Sequence, residues 1–277
     1  MTDKTYENVK IEREDGITWL ILNRPDKRNA MSPALHYEME DALSGLVDDK
    51  ETKVLVLTGA GDSWCAGQDI KLYFRETKNN PEERRRSNAA SHHWRWDILK
   101  NFPKPTIAMV NGYCFGAAFT QLHAVDFAIA AEDAVFGLSE VNWGIIPGGI
   151  VSWNLTELML PRHAMYYAVT GEPFDGKRAV ELGLANFAFP KERLREETVS
   201  LAKKLMKLNP AVVRYTKEAM RAVQGMSQEQ ARDYLRSKQD SLQKNDKEIR
   251  EQVGMAKFLD EKSYRPGLGP YQRDEQS

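Results

Sequence analysis

The chain opens on a pattern of alternation. Val9-Lys10-Ile11-Glu12-Arg13 alternates apolar and polar, Asp15-Gly16 supplies a turn, and Ile17-Thr18-Trp19-Leu20-Ile21-Leu22 is almost wholly apolar. This pattern predicts a β-hairpin. Asn23-Arg24-Pro25 ends its second strand. A helix is expected from Ser32-Pro33, where serine can cap and proline fits the first helical position. Leu35, Met39, Leu43 and Leu46 then recur at helical spacing. Residues 54–58 read as a strand buried on both faces, and 59–67 as a glycine-bearing loop. A charged and aromatic helix is expected over 82–101, and a buried strand over 106–110. After the turn Asn111-Gly112, a small-residue buried helix is expected over 115–123. Strands follow at 126–130 and 134–136. Beyond Pro147-Gly148-Gly149 the pattern is mainly helical to the end, with a boundary near Pro190 and a frayed tail after Pro266. Strands alternating with helices predict an α/β core over 1–195 and a helical part over 196–277.

Composition narrows the function. The 277 residues fit one large domain, or one domain with an appendage. Lys and Arg number 39 against 40 Asp and Glu, a formal charge of −1. That balance gives no electrostatic case for nucleic acid or an anionic membrane surface. Cys65 and Cys114 cannot build a disulfide framework and suit a reducing cytoplasm. The start is polar, and no apolar run approaches the roughly 20 residues of a membrane span. The expectation is a soluble cytoplasmic enzyme. The five histidines lack metal-ligand spacing, so no metal is expected.

Two segments place small residues beside a short buried strand: Ser63-Trp64-Cys65-Ala66-Gly67-Gln68-Asp69-Ile70, and Asn111-Gly112-Tyr113-Cys114-Phe115-Gly116-Ala117-Ala118-Phe119-Thr120. A helix start leaves N–H groups unpaired with positive dipole character. Two such donors converging on one point would make an oxyanion hole. Spacing alone favours mere close packing.

Several motifs together resemble the crotonase (enoyl-CoA hydratase/isomerase) superfamily. They are Leu22-Asn23-Arg24-Pro25-Asp26-Lys27-Arg28-Asn29-Ala30, Val56-Leu57-Thr58-Gly59-Ala60-Gly61, Cys65-Ala66-Gly67-Gln68-Asp69-Ile70, Lys104 to Gly112, and Phe136-Gly137-Leu138-Ser139-Glu140. The resemblance implies a spiral of ββα units with a C-terminal helical part that forms homotrimers, often paired into hexamers. It implies an acyl-CoA substrate, with coenzyme A part of substrate and product and no separate cofactor. By position, the N–H groups of Gln68 and Ala117 would hold the thioester carbonyl. Lys27, Arg28, Ala30, Ala66 and Ile70 would lie along the coenzyme A tail.

Ordinary members of the superfamily carry two catalytic glutamates. Here Thr120 stands at the first position and Glu140 at the second, which speaks against simple fatty enoyl hydration. Trp94-Arg95-Trp96, Gly112 to Gly116, Phe136 to Ile145, Tyr166-Tyr167 and Lys262 to Leu268 resemble the hydroxycinnamoyl-CoA hydratase-lyases within that superfamily. Those enzymes share a Ser or Thr at Thr120 and a single Glu. Tyr73 matches a tyrosine they place near the substrate phenol. Their other phenol-contacting tyrosine falls at Arg236, with Tyr234 two residues away. Ser139 and Trp143 are candidates for the thioester neighbourhood. The resemblance thus implies water addition to hydroxycinnamoyl-CoA, followed by retro-aldol cleavage. An enoyl-CoA hydratase or isomerase without C–C cleavage, and a non-catalytic CoA-thioester or RNA-binding member, remain as alternatives.

Overall fold

The computed structural model describes residues 4–245, 250–263 and 265. The expected tail beyond Pro266 lies outside the described residues. The hairpin forms: β1 (Val9–Glu14) pairs antiparallel with β2 (Ile17–Leu22). Asp15 and Gly16 both take positive φ, 49° and 83°, as a tight two-residue connection demands. Ser32 caps α1 (Pro33–Val47) by accepting from the Leu35 amide. The α1 stripe of Leu35, Met39, Leu43 and Leu46 is buried, and His36 is buried with it.

The chain then winds so that each turn gives one strand to a large sheet and the next to a small one. β3 (Val54–Gly59) is followed by β4 (Ser63–Cys65), with α2 (Pro81–His92) after them. β5 (Thr106–Val110) is followed by β6 (Tyr113–Phe115) and α3 (Ala118–Ala124). β7 (Phe127–Ala131) is followed by β8 (Val135–Gly137), α4 (Val151–Leu158) and α5 (Pro161–Thr170). β9 (Phe174–Asp175), α6 (Gly176–Glu181) and β10 (Phe187–Phe189) complete the strands. The large sheet runs β1-β2-β3-β5-β7-β10 and is parallel from β2 onward. The small sheet runs β4-β6-β8-β9, with β4, β6 and β8 parallel and β9 antiparallel to β8. β2, β3 and β5 are buried along their whole length, which explains their unbroken apolar sequences.

Several expectations shift. The 59–67 loop contains β4, and β6 takes Phe115 from the expected 115–123 helix, which starts at Ala118 instead. β9 and β10 lie in the stretch that reads as helical. All four strands are two or three residues long, too short to display alternation. The 82–101 helix changes character at His93, continuing over His93–Leu99 as a wider π-type coil.

The chain divides into two units. The first takes in residues up to Phe102 and Thr106–Ala202, and the second takes in Pro103–Pro105 and residues from Lys203 onward. The boundary falls inside α7 (Leu194–Met206), after Ala202 rather than after residue 195. The second unit carries α8 (Pro210–Ala222), α9 (Gln228–Asn245) and α10 (Arg250–Leu259). Neither α8 nor α9 has a fully buried residue. No described helix is long and apolar enough to cross a membrane.

Candidate active site

Three adjacent parallel strands end at one place. Cys65 of β4 stands opposite Cys114 of β6, and Cys114 stands opposite Phe136 of β8. Neighbouring strands lie about 4.8 Å apart, so whatever follows these three C-terminal ends falls within roughly 10 Å. Gly67-Gln68 follows β4, Gly116-Ala117 follows β6, and Ser139-Glu140 follows β8. The Gly116 N–H donates to the Gly137 carbonyl at 3.0 Å, tying the last two ends together.

Two glycines let these segments meet. Gly67 has φ +88°, and a Cβ there would fall 2.8 Å from the Phe115 carbonyl oxygen and 3.5 Å from the Ala117 nitrogen. Gly116 has φ +53°, and its Cβ would fall 2.9 Å from Oε1 of Glu140. Any side chain would push the segments apart. Among the described residues, neither the Gln68 nor the Ala117 N–H has an acceptor. Ala117 is the N-cap of α3, so its N–H belongs to the open start of that helix. The Gln68 limb is held on both sides: Met31 N–H donates to Gly67 O at 2.8 Å, and Asp69 N–H donates to Met31 O at 2.9 Å. Asp69 also accepts from the Lys71 and Leu72 amides and pairs with Arg24 at 2.9 Å.

Glu140 supplies the acid of the cluster. Its carboxyl is half-buried, and burial raises its pKa above the ordinary carboxylate range. Its Oε2 is buried without a hydrogen-bond partner. Thr120 lies three residues beyond Ala117 on α3, is fully buried, and accepts a hydrogen bond from Asn154 Nδ2 at 3.1 Å. The Thr120–Asn154 pair is neutral and brings no carboxylate to the cluster.

A buried polar chain runs behind the Gln68 limb. Trp94 Nε1–H donates to Nδ1 of His36 at 3.0 Å, so Nε2 carries the imidazole proton and donates to Oε1 of Gln68 at 2.8 Å. Burial first, then the positive charge of Arg95, pulls the His36 pKa down to about 3, so the ring is neutral. The buried Tyr73 ring stands edge-on to His36, with centroids 5.4 Å apart, and its hydroxyl donates to Asn88. Arg95 is buried and donates to the Ala117 carbonyl at 3.3 Å. The sequence reading assigned no site role to His36, Asn88, Arg95 or Asn154. The available signal was a polar residue on an apolar stripe: His36 lies between Leu35 and Met39 of α1.

The other expected residues lie further out. Arg28 (φ 49°) is exposed, with its guanidinium 4.4 Å from the Tyr113 ring. Lys27 is exposed beside Asp26. The Ala66 N–H donates to Arg28 O at 2.9 Å, so Lys27, Arg28, Ala30 and Ala66 share one rim with Ile70, itself half exposed. Ser139 precedes the single turn Glu140–Trp143, and Trp143 is 64% exposed. Tyr234 and Arg236 belong to α9 in the second unit. Tyr234 is half-buried with the Lys238 ammonium 5.4 Å from its ring, and Arg236 is exposed. Among the described residues, no group of three or more His, Cys, Asp or Glu is gathered to hold a metal ion.

The chain is similar in sequence and in fold to known proteins. Residues 12–265 match the enoyl-CoA hydratase/isomerase family. The chain is 48% identical over 271 residues to a hydroxycinnamoyl-CoA hydratase-lyase of Pseudomonas fluorescens, covering 97% of this chain and 98% of that protein. An enoyl-CoA hydratase from Bacillus anthracis superposes with a TM-score of 0.82 at 27% identity, covering 91% of this chain and 97% of its own. One from Polaromonas sp. JS666 gives 0.81 at 28%, covering 91% and 96%. Likeness in sequence and in fold thus runs nearly end to end, and the chain belongs to the enoyl-CoA hydratase/isomerase family, the crotonase superfamily.

Proposed function

We propose that this chain is a hydratase-lyase of hydroxycinnamoyl-CoA thioesters, converting feruloyl-CoA and its p-coumaroyl and caffeoyl analogues to an aromatic aldehyde and acetyl-CoA. One observation carries the reading: two acceptor-free N–H groups, of Gln68 and Ala117, meet a single half-buried carboxyl, Glu140, where three parallel strands end. The near-full-length likeness to the Pseudomonas fluorescens hydratase-lyase supports the choice of acyl group.

The thioester oxygen accepts from both N–H groups. Ionised Glu140 takes a proton from water as the water oxygen bonds to Cβ, and that proton passes to Cα. Glu140 then removes the proton of the new β-hydroxyl. The Cα–Cβ bond breaks, the aldehyde carbonyl forms, and the electron pair is left as the enolate of acetyl-CoA. Protonated Glu140 returns its proton to Cα. Water in, aldehyde and acetyl-CoA out, balances without redox change or a metal ion. The same two N–H groups stabilise enolate charge in both halves, which is differential stabilisation of one charged species. The Thr120–Asn154 pair adds no second acid. Tyr73 would receive the substituted ring; Ser139 and Trp143 would border the thioester. Lys27, Arg28, Ala30, Ala66 and Ile70 would border the coenzyme A tail, where a point or forked positive charge suits phosphate.

Homotrimers, or pairs of trimers, are part of this proposal. Within the first unit, Ile146, Leu160, Met165 and Val169 are 60–81% exposed, and within the second, Val212, Met220 and Leu235 are 40–67% exposed; each set is apolar side-chain surface suited to like copies. Light scattering on the purified protein tests it, and a monomer would overturn it.

The activity test mixes protein with feruloyl-CoA and follows loss of its conjugated absorbance together with vanillin release. Loss of crotonyl-CoA absorbance with no aldehyde from feruloyl-CoA would replace the lyase by a plain hydratase.

A further inference from the structure

Arg95 follows α2 and is 7% exposed. Among the described residues no carboxylate pairs with it, and its hydrogen bonds all go to neutral oxygens. Nε donates to Ser91 O at 2.7 Å, Nη2 donates to Ser91 Oγ, and Nη1 donates to Ala117 O at 3.3 Å. Three of five guanidinium N–H groups are thereby used. The Trp94 ring centroid, 5.5 Å away, gives a further weak attraction. Burial lowers the Arg95 pKa to about 10, so it is charged at neutral pH. Buried charges are normally paired, because taking an ion out of water is costly.

The neighbours do not supply the missing anion. His36 lies within the field of Arg95 and is neutral, as its donor and acceptor bonds require. Cys65, also within that field, has its thiol pushed up to about 11 by burial. Tyr73 spends its hydroxyl proton on Asn88 and stays a neutral phenol in that bond. The charge is unmatched in the resting protein, and it sits on the carbonyl of the residue whose N–H faces the proposed oxyanion.

We infer that Arg95 is a positioning and field-supplying residue of the oxyanion site: it fixes the Ala117 backbone, and its unmatched buried charge is balanced when negative charge develops on the thioester oxygen. The inference rests on the proposed reading of the site. Arg95 acts through Ala117 and touches no reacting atom. Its effect therefore belongs to kcat rather than to ground-state binding, because charge on the oxygen is largest in the enolate.

The test compares Arg95→Gln, Arg95→Met and Arg95→Lys in the full chain, with thermal melting alongside. Expected is a fall in kcat of about 10- to 100-fold for Gln and Met, a KM within about threefold of wild type, and partial recovery in Lys, which keeps the charge. A second readout is independent of turnover. In a Glu140→Gln background, binding of feruloyl-CoA should red-shift the conjugated thioester band as its carbonyl is polarised, and Arg95→Gln should reduce that shift while Arg95→Lys retains more of it. If the wild type releases no aldehyde yet the red shift depends on Arg95, the lyase reading fails and this inference stands. Wild-type kcat and full red shift in Arg95→Gln would overturn it. Equal losses in Lys, Gln and Met, in step with lowered melting temperatures, would also overturn it, since packing alone would then account for them.

Discussion

The two sheets end their strands in opposite ways. On the large sheet the C-terminal ends are stitched shut by amide and hydroxyl side chains. Asn111, just past β5, donates to the carbonyls of Gly59 and Gly61 at 2.9 Å each, and Thr58 of β3 donates to Met109 O at 2.9 Å. Asn29 donates to Ala60 O and Ser63 O and accepts from the Arg24 amide. On the small sheet the ends are left open: among the described residues, the Gln68 and Ala117 N–H groups and Oε2 of Glu140 have no partner. Buried polar groups are ordinarily satisfied, so a cluster that is not stands ready for a ligand. Saturated ends hold the fold, and the open ends are where the proposed chemistry would sit.

The comparison breaks first, if at all, at Glu140. Glu140→Ala should lower aldehyde release by about 10²–10⁴-fold with little change in melting temperature. An unaffected rate would remove Glu140 from the mechanism. Next comes Gly67→Ala. A left-handed φ and a Cβ 2.8 Å from Phe115 O would displace the Gln68 limb, so kcat should fall by about 10²-fold, the worth of one oxyanion donor. Asn111→Ala probes the stitched side. Loss of the bonds to the carbonyls of buried Gly59 and exposed Gly61 should cost about 2 kcal/mol in urea unfolding, while kcat per folded molecule is unchanged. Gln68→Met should alter kcat least, within about fivefold, because the hole uses that residue's backbone N–H. A larger loss would show that the His36–Gln68 bond steers the limb.

Acidity sharpens the same contrast. In the proposed mechanism Glu140 acts as a carboxylate first, and burial raises its pKa, so the acid limb of a kcat profile should lie above the ordinary Glu value of about 4.3. The stability effect has the opposite sense. A carboxyl whose pKa is raised on folding favours the folded state below its unfolded pKa, and this contribution is lost as pH rises through the folded value. Glu140→Gln should therefore melt higher than wild type at neutral pH, with the gap closing below about pH 4.

Much of the scaffold was legible from the sequence because its signals are long. The hairpin, the α1 stripe and the apolar runs of β3, β5 and β7 each extend over five or more residues. The small sheet was not legible. Strands of two or three residues leave no period to read, so Ser63–Cys65 passed for loop and Phe115 for helix. The segments of the site were found through motif likeness rather than periodicity. What surrounds them was missed for a physical reason. The pairing of His36 with Gln68, of Tyr73 with Asn88 and of Arg95 with Ala117 joins residues far apart in sequence. Only the winding of the chain brings them together.

That winding has a further consequence. Successive passages of the backbone each deliver one short segment to the same row, so the row behaves as three interchangeable sockets on a common frame. Thr120 lies beyond the second segment, three residues past Ala117, so a change of that side chain can alter the proposed acid–base chemistry while the backbone N–H groups of Gln68 and Ala117 stay where they are. Diversification of chemistry within such an architecture needs no change to the wall of long strands behind it.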